Sequence, residues 1–313
     1  MKFLQISKRI LLFLAVNFLV IATINIVLSL FFGGRIPRSY DQLLFFCTIW
    51  GMGVAFISLL ISRWMAKVMM GVQVIDANTV DPDERALLGM VENLTRSAGV
   101  PMPEVGVYES PEVNAFATGP SKSQALVAVS SGLLRNMRRS EIEGVLGHEI
   151  AHIANGDMVT MTLIQGVINA FVMFLAYILA FAVSQAMSSR DEENRGGGTS
   201  WFVQWMLIQL FQFVFSLLGF MVVAWFSRWR EFRADAGGAQ FAGRQNMIAA
   251  LKALKNLHEN PMQAEQTAQD GHPQPAFQAL MISGSTNRVA LLFSTHPPLE
   301  ERIARLENPT LGM

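Results

Sequence analysis

Val145-Leu146-Gly147-His148-Glu149-Ile150-Ala151-His152 sets two histidines four residues apart around a glutamate. Four residues is just over one helical turn, so on a helix both imidazoles leave the same face about 6 Å apart along the axis, close enough to share one tetrahedral ion. Glu149 lies beside them, where a carboxylate can take a proton from a water that the ion activates. The flanks favour a helix. Ser140-Glu141-Ile142-Glu143 reads as a capping box with Ser140 as N-cap and Glu143 at N3, and Ile142, Val145, Leu146, Ile150 and Ile153 supply an apolar stripe. Asn155-Gly156-Asp157 gives the helix an end.

Upstream, Asp81-Pro82-Asp83-Glu84 opens another helix, whose Leu87, Leu88, Val91 and Leu94 recur at helical spacing as far as Ser97 or Ala98. Val105 to Tyr108 and Gln124 to Val129 read as strands, with a short third strand at Asn114 to Gly119 between them. A small sheet therefore precedes the histidine helix. Downstream, a helix from Arg230 to about Phe241 breaks near Gly243 and resumes from Asn246 to about His258. Gln263 to Pro275 is glutamine-rich, contains Gly271-His272-Pro273, and has no periodicity, so it reads as a loop. The chain shows no internal repeat and no dinucleotide or phosphate-loop signature, which removes support for solenoid and nucleotide-enzyme readings.

With 51% hydrophobic and 15% charged residues, the 313-residue chain is too apolar for an ordinary soluble enzyme, and the excess sits in blocks. Ile10 to Phe32, Gln42 to Ser62, Val159 to Met187 and Trp201 to Ser227 each lack Asp, Glu, Lys, Arg and His and are long enough to cross about 30 Å of hydrocarbon. Four spans divide the chain into a membrane region at 1–62, a first catalytic part at 63–157, a membrane hairpin at 158–227 and a second catalytic part at 228–313. Lys2, Lys8, Arg9, Arg63, Lys67, Arg228, Arg230 and Arg233 all fall on one side of that arrangement, which the positive-inside rule makes cytoplasmic, together with both termini. The first apolar run exceeds a signal-peptide core and has no small-x-small site before Gly33, so it is expected to stay as an anchor. The single Cys47 excludes a disulfide framework and a cysteine metal cluster, and agrees with a reducing compartment. Zero formal net charge offers no broad basic field for nucleic acid, leaving the bilayer and polypeptides as partners.

A catalytic metal needs a third protein ligand, and two crossings return the chain to the same side just beyond Ser227. Glu231 and Asp235, four apart on one helix face, can act as a ligand and as the carboxylate that orients a ligand imidazole. Spacing alone leaves that reading level with a solvated charged face among three arginines. His296, before Pro297-Pro298, reads on its own as a turn residue. His258 and His272 are expected to carry no site role.

The chain resembles the HtpX-type integral-membrane zinc metallopeptidases, relatives of the CAAX prenyl proteases, over nearly its whole length. The resemblance rests on Glu112-Val113-Asn114-Ala115-Phe116-Ala117-Thr118-Gly119, on His148-Glu149-Ile150-Ala151-His152 with Asn155-Gly156-Asp157, on Arg230-Glu231-Phe232-Arg233-Ala234-Asp235, and on Thr295-His296-Pro297-Pro298-Leu299-Glu300-Glu301-Arg302-Ile303. It implies one Zn²⁺ per chain held by His148, His152 and Glu231, Glu149 as general base, and Asp235 supporting the ligands from behind. It also turns His296 into a donor to the developing oxyanion. Asn114 to Gly119 would form an edge at which a peptide joins as an extra strand, with Asn114 as substrate contact and Phe116 as core. Arg233 departs from the family pattern without costing a ligand.

The expected architecture is an α+β zincin-like metalloprotease domain, with a small β-sheet and the histidine helix, fused to four transmembrane helices. The implied activity is that of a zinc-dependent endopeptidase acting on misfolded or membrane proteins in quality control at a bacterial inner membrane. Processing of lipidated peptides is the rival within enzymes. A scaffold or chaperone that binds without cutting is the rival outside them, and the intact Glu149 argues against it.

Overall fold

The computed structural model describes residues 38–188, 201–259 and 294–308. The first apolar block, Ile10 to Phe32, the loop Gln263 to Pro275 and His272 lie outside the described residues. The chain divides into two compact units, one of Met1–Ser58 with Met161–Val223, the other of Leu59–Thr160 with Ala224–Met313.

The first unit draws on three long helices: α1 (Arg38–Met69), α5 (Asp157–Ser188) and α6 (Trp201–Phe241). Among the described residues these are the three long and apolar enough to cross a membrane, with mean hydropathies of 2.2, 2.3 and 2.2. They pack through small residues, as membrane helices do when lipid removes the hydrophobic incentive to associate. A Cβ on Gly51 of α1 would lie 2.6 Å from the backbone nitrogen of Ala170 on α5, so the two backbones nearly touch there. Leu44 and Cys47 are buried beside Phe174 in the same layer.

The second unit carries a four-stranded sheet from β1 (Gln73–Val74), β2 (Glu104–Tyr108), β3 (Ala115–Thr118) and β4 (Leu126–Ser130), in the order β1-β2-β4-β3. β2 and β4 run parallel, and the two outer pairings are antiparallel. β4 is buried along its whole length, as its Leu-Val-Ala-Val run requires of a strand covered on both faces. β3, four residues long, is the edge strand beside β4. Expected as starting at Gln124, β4 instead follows a 3₁₀ turn at Lys122–Gln124, and the two-residue β1 gives no alternation for a sequence reading to detect.

Helix α2 (Pro82–Ala98) starts as its sequence dictates, the Asp81 side chain accepting from the Asp83 and Glu84 amides at 2.8 and 3.3 Å. It ends where Gly99 turns left-handed at φ 63°. The short α3 (Ser131–Asn136) leads into α4 (Arg139–Asn155), the histidine helix. Its start corrects the expected capping box. The N-cap is Arg138, whose amide donates to Glu141 Oε2 at 2.7 Å, while Ser140 stands exposed on the first turn. Glu143 is instead drawn to Asn246 at 3.1 Å, on α7 (Arg244–Glu259). Gly156, at φ 73°, closes α4 and turns the chain straight into α5.

Leu146, Ile150 and Ile153 of α4 meet Val91 and Leu94 of α2 and Val105, Val127 and Val129 of the sheet in one core. Arg230 does not begin a new helix as the sequence suggests, because α6 runs unbroken from Trp201 through it to Phe241. Gly243, at φ 92°, separates α6 from α7. Helix α8 (Leu299–Glu307) packs Leu299, Ile303 and Leu306 on Met247, Ile248 and Leu251 of α7.

Candidate metal centre

The face of α4 that carries His148 and His152 is covered by α6, and glycine is what lets the two helices meet. A Cβ on Gly147 would sit 2.7 Å from that of Ala242, and one on Gly237 would sit 2.7 Å from that of Ala151. A Cβ on Gly238 would lie 3.0 Å from the His148 backbone nitrogen. This approach delivers Glu231, which is fully buried, to the two imidazoles. Glu231 Oε2 is 3.2 Å from His148 Nε2, and Oε1 is 3.3 Å from His152 Nε2. The two Nε2 atoms are 3.1 Å apart.

The outer ring nitrogens are held by carboxylates. His148 Nδ1 is 3.0 Å from Asp235 Oδ1, and His152 Nδ1 is 2.7 Å from Asp157 Oδ2. With each Nδ1–H donated to a carboxylate, both Nε2 atoms face the cluster and offer lone pairs to a metal that displaces their protons. Two ring nitrogens and a carboxylate therefore point at one spot. Two imidazole nitrogens and a carboxylate are a donor set that suits zinc. A tetrahedron of ligands about 2.05 Å from zinc has edges of about 3.3 Å, which the three distances approach. His148, His152 and Glu231 form the one group among the described residues able to hold a metal ion in this way.

Burial works against charge on the His148 ring, but its hydrogen bonds to Asp235 and Glu231 outweigh that and raise its pKa to about 9. His152 is raised in the same way, burial being overcome by Asp157 and Glu231. In the metal-free protein these rings hold protons that a metal must displace.

Arg302, on α8, is 2% exposed and grips Asp235 with a two-pronged contact, Nε to Oδ2 at 2.8 Å and NH2 to Oδ1 at 2.6 Å. Burial alone would lower its pKa, but the charges of Asp235 and Glu231 push it higher than an ordinary arginine's. Asp235 Oδ1 is thus shared between His148 and Arg302, and the guanidinium ties α8 to the metal-facing helices. His296 precedes α8 with Nδ1 2.9 Å from Glu231 Oε2, in a segment anchored by Arg228 donating to the Ser294 carbonyl at 2.6 Å.

A cleft of about 700 Å³ opens over this cluster, lined by His148, Glu149, His152, Glu231, His296 and the β3 edge. Glu149 is half-buried in its wall. Asn114, at the rim, uses its backbone on Ser130: its amide donates to Oγ at 3.0 Å and its carbonyl accepts from the Ser130 amide at 2.9 Å. Phe116 is half-buried, both lining the cleft and packing on Tyr108 with ring centres 5.7 Å apart. Burial, helped by the nearby Glu112 charge, raises the Tyr108 phenol to about 12, so it stays a neutral hydroxyl in the wall.

All seven residues singled out from the sequence meet around one cluster and cleft. Two that surround it had no assigned role: Asp157, visible only as the residue after a helix-ending glycine, and Arg302, visible only as one charge in Glu300-Glu301-Arg302.

The family model Peptidase family M48 matches residues 82–310. Protease HtpX of Stenotrophomonas maltophilia (strain K279a) is 49% identical over 97% of this chain and 99% of its own length. Protease HtpX of Shewanella frigidimarina (strain NCIMB 400) is 47% identical over 96% of this chain and 99% of its own. The crystal structure of S. mikatae Ste24p matches with a TM-score of 0.57 at 17% identity, over 90% of this chain and 64% of that one, which establishes a shared fold.

Proposed function

The chain belongs to peptidase family M48 and is a membrane-bound zinc metalloprotease, and from that premise we propose an endopeptidase that cuts misfolded or membrane polypeptides at the cytoplasmic face of a bacterial inner membrane. The observation that carries this reading is the convergence of two imidazole Nε2 atoms and a buried carboxylate within 3.3 Å, beside a glutamate in the wall of an open cleft. In the proposal His148, His152 and Glu231 hold the zinc, and Asp235 and Asp157 orient the two rings. Bound there, zinc supplies polarisation of the peptide carbonyl and a water that is nucleophilic near neutral pH.

Glu149 takes the proton from the attacking water and later returns it to the leaving nitrogen, so no covalent intermediate on the protein is needed. His296, beside Glu231, donates to the carbonyl oxygen as negative charge develops on it. The substrate lies extended along β3, with the Asn114 side-chain amide meeting its backbone. The division into a membrane region at 1–62, catalytic parts at 63–157 and 228–313 and a hairpin at 158–227 belongs to the same proposal, as does the cytoplasmic position of both termini.

The test is to purify the full chain with chelator, restore one equivalent of zinc, and follow cleavage of an unfolded protein by wild type and by Glu149→Ala. Cleavage by wild type alone, with zinc bound to both, supports the proposal. A zinc-loaded wild type that cuts nothing returns the chain to the scaffold reading.

A further inference from the structure

Arg230 stands in the wall of the cleft, one residue before Glu231 on α6. Neighbours on a helix leave the axis about 100° apart, so Arg230 cannot share the fully buried position of Glu231 and comes out beside it at the cleft. Its side chain is only 18% exposed, which sets it apart from a solvated surface arginine. Yet nothing grips it. Its Nε is buried without a hydrogen-bond partner among the described residues. The two nearest carboxylates stand 3.9 Å away, from Nε to Asp157 Oδ2, and 3.6 Å away, from NH2 to Glu231 Oε1. Both distances exceed the about 2.7 to 2.9 Å of a charge-assisted hydrogen bond. Arg302 shows the contrast, since it braces Asp235 through two contacts at 2.8 and 2.6 Å. Arg230 therefore brings uncommitted donors to the cleft, and burying them unmatched is costly.

The two oxygens of Glu231 give the ligand cluster two flanks. Oε2 faces His148 and is 2.9 Å from His296 Nδ1. Oε1 faces His152 and is the oxygen nearest Arg230. The oxygens of a carboxylate are about 2.2 Å apart, so the donors of His296 and Arg230 lie within about 9 Å of each other.

An oxygen without full charge suits Arg230 best. Asp157, Glu231 and Glu149 line the same cleft, so a substrate carboxylate would be repelled there, whereas a backbone carbonyl brings a dipole alone. Carbonyls of an extended peptide alternate between its two edges. A substrate paired with β3 through one edge turns every second carbonyl to the other, two residues or about 6.6 Å apart. That interval fits between His296 and Arg230. Resting on the peptidase reading above, we propose that Arg230 is a substrate-binding residue. While His296 donates to the scissile carbonyl, Arg230 holds the carbonyl two residues away on the same edge and fixes the chain in register over the ligand cluster. The group it holds is backbone, so it serves substrates of any sequence.

The experiment uses the zinc-loaded full chain in detergent and a peptide spanning one bond that it cuts in an unfolded protein. Analogues carry a thioamide, whose sulfur is a poor hydrogen-bond acceptor, at the carbonyl two residues before or two residues after the scissile one. Arg230→Met is expected to lower kcat/KM on the parent peptide about 10- to 100-fold, the range of a hydrogen bond to a charged group. One of the two thioamides is expected to slow wild type severalfold and to cost Arg230→Met nothing further, because the donor is already gone. Zinc affinity in Arg230→Met should not fall, since a cation beside the ligands has been removed. Equal thioamide losses in wild type and variant overturn the inference and leave the peptidase reading standing. So does zinc affinity that falls along with activity, which would make Arg230 a brace for the ligands. A preference for Asp or Glu near the scissile bond that disappears in Arg230→Met overturns it too, in favour of acidic side chains. The thioamide series in wild type needs no variant to fold, and no loss at either position is also a refutation. A zinc-loaded wild type that cuts neither protein nor peptide sinks the peptidase reading and the inference with it.

Discussion

Gly238→Ala tests the claim that the approach of α6 to α4 sets the metal geometry. The added methyl would lie 2.9 Å from Met247 Sδ, 3.0 Å from the His148 backbone nitrogen and 3.2 Å from its Cα. Ordinary contacts are about 3.5 to 4.0 Å, so the helices must part by about 0.5 Å at the level of a ligand. Glu231 is seven residues away on the same face of α6, two turns along, and part of that displacement reaches its carboxylate. Metal–ligand distances tolerate about 0.2 Å. Zinc binding must then pull the helices back together against an overpacking cost of about 1 to 3 kcal/mol. That corresponds to zinc affinity lower by about 5-fold to 150-fold. Alanine also raises helix propensity by up to about 1 kcal/mol, which makes thermal stability a poor readout and zinc affinity, by chelator competition in detergent, the right one. Gly89→Ala on α2, where a Cβ meets nothing within 4 Å, is the control and should bind zinc as wild type does. Unchanged zinc affinity in Gly238→Ala would refute the reasoning.

Asp157→Ala removes the acceptor for His152 Nδ1–H and should weaken zinc binding about 10- to 100-fold, read by the same competition. Arg302→Met leaves Asp235 buried without its guanidinium and should destabilise the metal-free protein by about 3 to 5 kcal/mol in denaturant titration; a midpoint equal to wild type would show that the pair contributes nothing. His296→Ala should lower turnover per bound zinc by about a hundredfold with zinc content unchanged, whereas a purely structural histidine predicts lower yield and preserved turnover. Because the pKa of His148 is raised to about 9, its contribution to metal-free stability is full below the ordinary value of about 6.5 and fades as pH rises through 9. Zinc competes with that proton, so zinc affinity should climb between pH 6 and 9, and a flat profile over that range would remove the coupling.

The ligand helix is legible in the sequence because its signal is local: two imidazoles one turn apart need no tertiary information to share a face. The Asp81-Pro82 start, the Gly156 end and the β3 edge are legible for the same reason, each being a backbone preference of a few residues. Glu231 is different. Its spacing to Asp235 suits a ligand pair and a solvated face equally, and what decides between them is burial under α4, created by Gly147, Ala151, Gly237 and Gly238. Those residues have no chemical signature; they act by being small, at positions on two helices that a sequence reading cannot yet align. The misplaced capping box has the same origin, since Glu143 satisfies the local pattern but is taken by Asn246 across the interface. Asp157 and Arg302 stay hidden because each has a sufficient ordinary explanation, a helix start and a surface charge. Only the fold shows that both point inward, where Asp157 orients one ring and Arg302 braces the carboxylate that orients the other. The donor atoms are encoded locally, and the distances that let them act together are encoded in residues that do no chemistry.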